Sequence, residues 1–225
     1  MNRFTLGCLG LVVGVLGVAA QVWAQPRPDP DPDPYAQSLR QATSVGIAIT
    51  FLEHERERAP IDAVRRHKNV TLMVGNQRVT PDNVEAFAKD NERKLQLLAA
   101  EIQRRGSSSA AGEYAVQTAV AQDKSPPACA KPQEHFGPLT LRQDGSSIEL
   151  RDAAGQLSGW GVVVEHSLAV IPGARDRVSP ITLIGTMDGS DITLSLYDGT
   201  PAALHPGAQP ALCRLGIANA LAATH

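Results

Sequence analysis

The sequence predicts an α+β protein, with a helical N-terminal region followed by a small antiparallel β-meander that closes as a barrel or stacks as a two-layer sheet. Three observations lead there. Between Ser38 and Gly106, apolar residues recur at intervals of three and four, the period of a helix face. From Leu139 onward the period drops to two. Turn dipeptides then punctuate the chain at short spacing: Asp144-Gly145, Ala154-Gly155, Pro172-Gly173 and Asp188-Gly189. Short connections favour neighbouring antiparallel strands.

Residues 1–24 read as a secretory signal peptide. Arg3 and the amino terminus supply positive charge, Leu6 to Ala20 is apolar, and Val22-Trp23-Ala24 suits cleavage before Gln25. Phe4 to Ala24 is also long enough to anchor in a bilayer about 30 Å thick. The glycines at 7, 10, 14 and 17 and the cleavage site favour removal. No other stretch approaches spanning length, so no stable membrane span is expected after cleavage, and the location is secreted or periplasmic. Residues 25–37 form a Pro/Asp-rich spacer. Its Asp29, Asp31 and Asp33 do not start a calcium loop, because the glycine and the final glutamate of such a loop are missing.

Residues 38–106 form the helical region. Leu39, Ala42, Val45, Ile49 and Leu52 fall at helical spacing, although Val45, Ile47, Ile49 and Phe51 also alternate. Helix is the better reading, with Pro60 as its end and Ile61 to Lys68 adding a turn or two. Val70 to Val74 and Arg78-Val79 read as a short hairpin about Gly75-Asn76. A second helix follows, with Thr80 as its cap and Pro81 in its first position. Val84, Phe87, Ala88, Leu95, Leu98 and Ile102 share one face of it, and Asn91 interrupts that stripe. Gly106 closes the helix. Such a face buries against the first helix or against a partner chain.

Residues 107–128 read as a linker, with a short helix at Tyr114 to Gln122. Residues 129–216 form the β domain, and 217–225 a tail. Six strands are expected: Leu139–Leu141, Ser147–Leu150, Leu157–Glu165, Leu168–Ile171, Ile181–Thr186 and Asp191–Leu196. Two hairpins echo each other around Asp144-Gly145-Ser146 and Asp188-Gly189-Ser190. Cys129 and Cys213 remain after processing and read as one disulfide tying the ends of the domain. Closing a loop of about 84 residues stabilises by roughly 4–5 kcal/mol in the chain-entropy picture. In architecture alone the meander resembles small lipocalin-like modules of envelope proteins, and fold does not fix function.

The formal charge is −2, which offers no bulk attraction for nucleic acid. Arg40 to Arg105 carries a net +3 and Arg142 to Asp198 a net −4, so the two regions present different surfaces. Aromatic residues make up only 4% of the chain, too few for sugar grooves or single-strand stacking platforms. Signatures of hydrolases, phosphate loops and dinucleotide sites are missing, and no cofactor motif appears. The six histidines (His54, His67, His135, His166, His205 and His225) are not paired at helical spacing and read as isolated surface residues, so no metal site is expected. Arg65-Arg66-His67-Lys68 reads as a solvated helix end. Trp160, between Gly159 and Gly161, reads as a plug at the end of the barrel or as the floor of a pocket.

These observations lead to an expected non-enzymatic binding or inhibitor-like module of the cell envelope. Trp160 and His166 are its candidate ligand contacts, and a small ligand or an envelope protein its partner. A structural protein or homo-oligomer pairing through Val84, Phe87, Leu95, Leu98 and Ile102 is the alternative. A hydrolase with a dispersed site around His135, His166 and neighbouring acids ranks third, and a metal site would have to assemble from His135, His166 and a carboxylate such as Glu165 or Asp191.

Overall fold

A computed structural model describes residues 33–121, 138–173, 181–198 and 213–219. The signal peptide, most of the spacer, Cys129, His135 and the tail beyond 219 lie outside these residues. The described chain is α+β, with three helices and a small hairpin N-terminal to a closed barrel.

Helix α1 (Pro34–Gln41) starts within the stretch assigned to the spacer, because Asp33 is a helix cap. Its carboxylate accepts from the Tyr35 N–H at 2.9 Å, and Pro34 takes the first position, where a missing N–H is harmless. Helix α2 (Ser44–Arg66) is a separate element: the Thr43 hydroxyl accepts from the Gly46 N–H at 3.1 Å and restarts the helix. The expected end at Pro60 is corrected. Proline removes the hydrogen bond to the Arg56 carbonyl, but Ile61 and Val64 beyond it are buried, and their packing carries the helix to Arg66.

Strands β1 (Leu72–Val74) and β2 (Gln77–Val79) form the expected hairpin. Helix α3 (Val84–Arg105) starts later than Thr80-Pro81 suggests. Residues 80–83 make a turn in which Asn83 Oδ1 accepts from the Thr80 N–H at 2.8 Å and the Val84 N–H donates to the Thr80 carbonyl at 3.0 Å. Gly106 ends α3 with φ 79°, a left-handed value that favours glycine.

The barrel has eight strands: β3 (Gly112–Ala121), β4 (Leu139–Asp144), β5 (Ser147–Arg151), β6 (Leu157–Val164), β7 (Ser167–Pro172), β8 (Ile181–Asp188), β9 (Asp191–Asp198) and β10 (Cys213–Asn219). Each pairs antiparallel with the next, and β10 closes on β3. The sheet is therefore a barrel rather than a two-layer stack. The six expected strands are present, and the echoing hairpins turn at one end of the barrel, with Asp144 opposite Ser147 and Asp188 opposite Asp191.

The two closing strands escaped the sequence reading. Residues 112–121 form a strand, not a linker with a short helix. The alanines of that stretch suit a helix, but Tyr114 and Val116 are buried while Glu113 and Ala115 are exposed, and pairing on both sides overrides local propensity. The barrel thus begins ahead of Cys129, and Cys213 opens the last strand instead of following it.

Side chains fill the described interior. Leu141, Leu150, Val163, Leu168, Leu194 and Leu215 belong to one buried cluster. The outer face of β6–β8 is buried too. Trp160, Val162, Val164 and Ile171 pack against Ile47, Leu52, Leu98 and Ile102 of the helices. Gly161 marks the tightest strand approach: a Cβ there would lie 2.0 Å from the Ala169 carbonyl oxygen. A third cluster joins Ile61, Val64, Val74, Val79, Val84 and Ala88 between α2, the hairpin and α3.

Candidate functional site

Strand parity decides where Trp160 goes. Val163 on β6 points into the barrel cluster, so Trp160, three residues earlier, points out. It is 6% exposed and packs in the seam with the helices. Both sequence readings of Trp160, as a barrel-end plug and as the floor of a barrel pocket, are corrected by this placement.

His166 is exposed in the β6–β7 turn, with Nδ1 2.9 Å from Ser108 Oγ. Among the described residues His166 makes no second side-chain hydrogen bond of the kind that orients a catalytic base. The Glu165 carboxylate instead accepts from the Ser44 hydroxyl, and the Ser108 N–H donates to the Glu165 carbonyl at 2.8 Å. Asp191 sits at the β8–β9 hairpin. Among the described residues no group of three His, Cys, Asp or Glu side chains is arranged to hold a metal ion.

The α3 face is buried within the chain. Leu98 and Ile102 pack in the helix–barrel seam, Val84 and Phe87 pack against the hairpin cluster, and Leu95 is 3% exposed. Cys213 is buried in the barrel cluster. The basic run at the end of α2 is a helix end, as expected, with Arg65 bonded to Glu85 at 2.8 Å.

A cleft of about 150 Å³ opens between α2, α3 and the β1–β2 hairpin. His54, Glu57, Asn76, Asp90, Asn91 and Lys94 supply its polar lining, while Val74 and Phe87 supply an apolar wall. His54 Nδ1 lies 2.9 Å from Glu57 Oε2. The Tyr35 hydroxyl is a looser 3.4 Å from His54 Nε2, and burial pushes that hydroxyl up to about 12, so it stays neutral. Lys94 Nζ lies 2.8 Å from Asp90 and 5.9 Å from the centre of the Tyr35 ring. The hydrogen bond from Lys94, aided by Arg93, holds the Asp90 carboxyl below its ordinary range.

Asn91 is the most informative residue of the cleft. It is 4% exposed, and its Nδ2 donates to the His54 carbonyl at 3.0 Å. That bond fixes the amide, since the flipped form would set two acceptors face to face. Oδ1 is then buried with no hydrogen-bond partner among the described residues. An unmet buried acceptor costs about 1–3 kcal/mol.

A second hollow of about 390 Å³ shares His54, Glu57, Val74 and Gly75 and adds Glu53, Arg56, Pro60 and Met73. Burial raises the Glu53 carboxyl above its ordinary range. Met73 is the one exposed large apolar side chain among the described residues.

Sequence reasoning assigned His54 to the isolated surface histidines, and the structure corrects this: it is largely buried and bonded to Glu57. The signal pointing here was Asn91, the polar break in an apolar stripe. Among the described residues no helix is long and apolar enough to cross a membrane. No protein-family model, curated protein or solved structure matches the chain.

Proposed function

We propose that the protein is an exported, non-enzymatic binding module of the cell envelope, and that it binds through the cleft in its helical cap. The unmet Asn91 Oδ1 carries this reading: a buried acceptor at a polar cleft is satisfied when a ligand brings a donor. The packed barrel interior favours a supporting role for the barrel over a ligand-carrying one. Export rests on the character of residues 1–24. A Cys129–Cys213 disulfide is part of the proposal. Cys213 pairs in register with Ala121, and the connection containing Cys129 leaves from Ala121.

Native mass spectrometry of the protein purified without reductant from its export compartment tests the reading. The expected result is extra mass that is lost on denaturation and absent from Glu57→Gln protein. A protein mass about two units below the reduced value reports the disulfide. A bound mass retained equally by Glu57→Gln and Asn91→Leu would place binding elsewhere.

A further inference from the structure

We propose that the cleft takes a small organic cation, an ammonium or amidinium group that donates N–H hydrogen bonds, with its short alkyl part against Val74 and Phe87. The inference rests on the cleft being the binding site, and two acceptors of its wall, Asn91 Oδ1 and the Glu57 carboxylate, carry it.

The cationic side chains beside the cleft face carboxylates. Lys94 is held by Asp90 at 2.8 Å, and Arg93 spans Asp90, at 3.1 Å, and Asp33. Asn91 Nδ2 is held by the His54 carbonyl, and His54 Nδ1 by Glu57 Oε2. Among the described residues, neither Asn91 Oδ1 nor Glu57 Oε1 has a hydrogen-bond partner. Glu57 Oε1 lies beside the hairpin turn, 3.6 Å from where a Gly75 Cβ would stand.

Asn91 Oδ1 and Glu57 Oε1 are acceptors, and one belongs to a carboxylate. An anion would bring more acceptors to them and meet repulsion. A neutral amide would satisfy them without the gain of a charged donor. Lys94 is paired with Asp90, and the only partner of Glu57 among the described residues is the His54 imidazole, which carries charge only when protonated. The volume restricts the ligand: 150 Å³ is about five water molecules' share of liquid.

Propylammonium, propionate and propionamide have the same size and differ in charge and donor count. The exported protein, labelled with ¹⁵N, is titrated with each while its amide spectrum is followed. Propylammonium is expected to move the Gly75 and Asn76 amides and the Asn91 side-chain amide, and to saturate. Glu57→Gln, which keeps the shape, is expected to weaken this binding about tenfold or more. Asn91→Leu is expected to weaken it as well; should that variant not fold, Glu57→Gln decides. Binding of propionate or propionamide at these residues with propylammonium excluded overturns the cation and leaves the cleft as a binding site. Unchanged affinity in Glu57→Gln overturns the carboxylate as its partner. No shift at the cleft with any of the three probes overturns the cation and the cleft together.

Discussion

Asn91 and Glu101 are both buried polar residues of α3, and they behave oppositely. Asn91 keeps an unmet oxygen. Glu101 is fully engaged, accepting from Arg104 at 2.6 Å and Arg105 at 2.8 Å. Arg105 in turn donates to the Leu39 carbonyl at 3.1 Å and the Arg40 carbonyl at 3.3 Å, which ties the end of α1 to α3. The Arg104 hydrogen bond, with Arg105, draws the Glu101 carboxyl down to about 2. An unfolded glutamate titrates near 4.3. The folded state therefore gains stability from Glu101 above that value and loses it as the pH falls toward about 2. Glu101→Gln should cost about 1 kcal/mol at pH 7, with the solvent-facing part of the network screened. Urea unfolding of the two proteins at pH 7 and pH 2.5 checks this: the gap should close at the lower pH. Asn91→Leu removes an unmet acceptor from an apolar stripe, so its stability should stay within about 1 kcal/mol of the parent. Loss of about 3 kcal/mol or more would show the amide to be structural. At this scale the sequence was partly legible. Asn91 stands out against its apolar neighbours, whereas the Glu57 partner of His54 does not, because Glu57 is one of several charged residues in the run from Glu53 to Arg58.

Elements were most legible where both neighbours lie close in sequence. The six strands from β4 to β9 pair with consecutive partners, and their alternation and turn residues carry the information. Strands β3 and β10 close the barrel on each other across about a hundred residues, a pairing that local pattern does not encode. The helical breaks were hidden for another reason. Thr43 and Asp33 act as caps through single hydrogen bonds inside stretches whose composition suggested one helix or one spacer. Thr43→Ala should cost about 1 kcal/mol in urea unfolding and loosen the first turn of α2 in hydrogen exchange. Gly161→Ala places a methyl where the Ala169 carbonyl stands, a clash with backbone that no rotamer relieves. It should abolish the native circular dichroism or leave a protein that unfolds at much lower urea; near-parental stability would refute the close strand approach.

For the whole molecule, the outer face of β6–β8 and the inner faces of the helices form one cluster. The helical region and the barrel belong to one unit, Asp33–His225. Leu98 is fully buried in that seam, and Leu98→Ala should cost about 2–5 kcal/mol. Trp160 emission then reports the docking of helices on the barrel. It should change together with the far-ultraviolet signal in urea, as one transition. Two separated transitions would show that helices and barrel unfold independently.

The central claim is that this molecule binds at its helical cap and not within its barrel. Hydrogen exchange along the chain, with and without saturating propylammonium, tests it most directly. The claim predicts slowed exchange confined to residues 72–79 and to the amides of 54–57 and 87–94. Protection that appears instead along β6 to β9, with the cap unchanged, would contradict it.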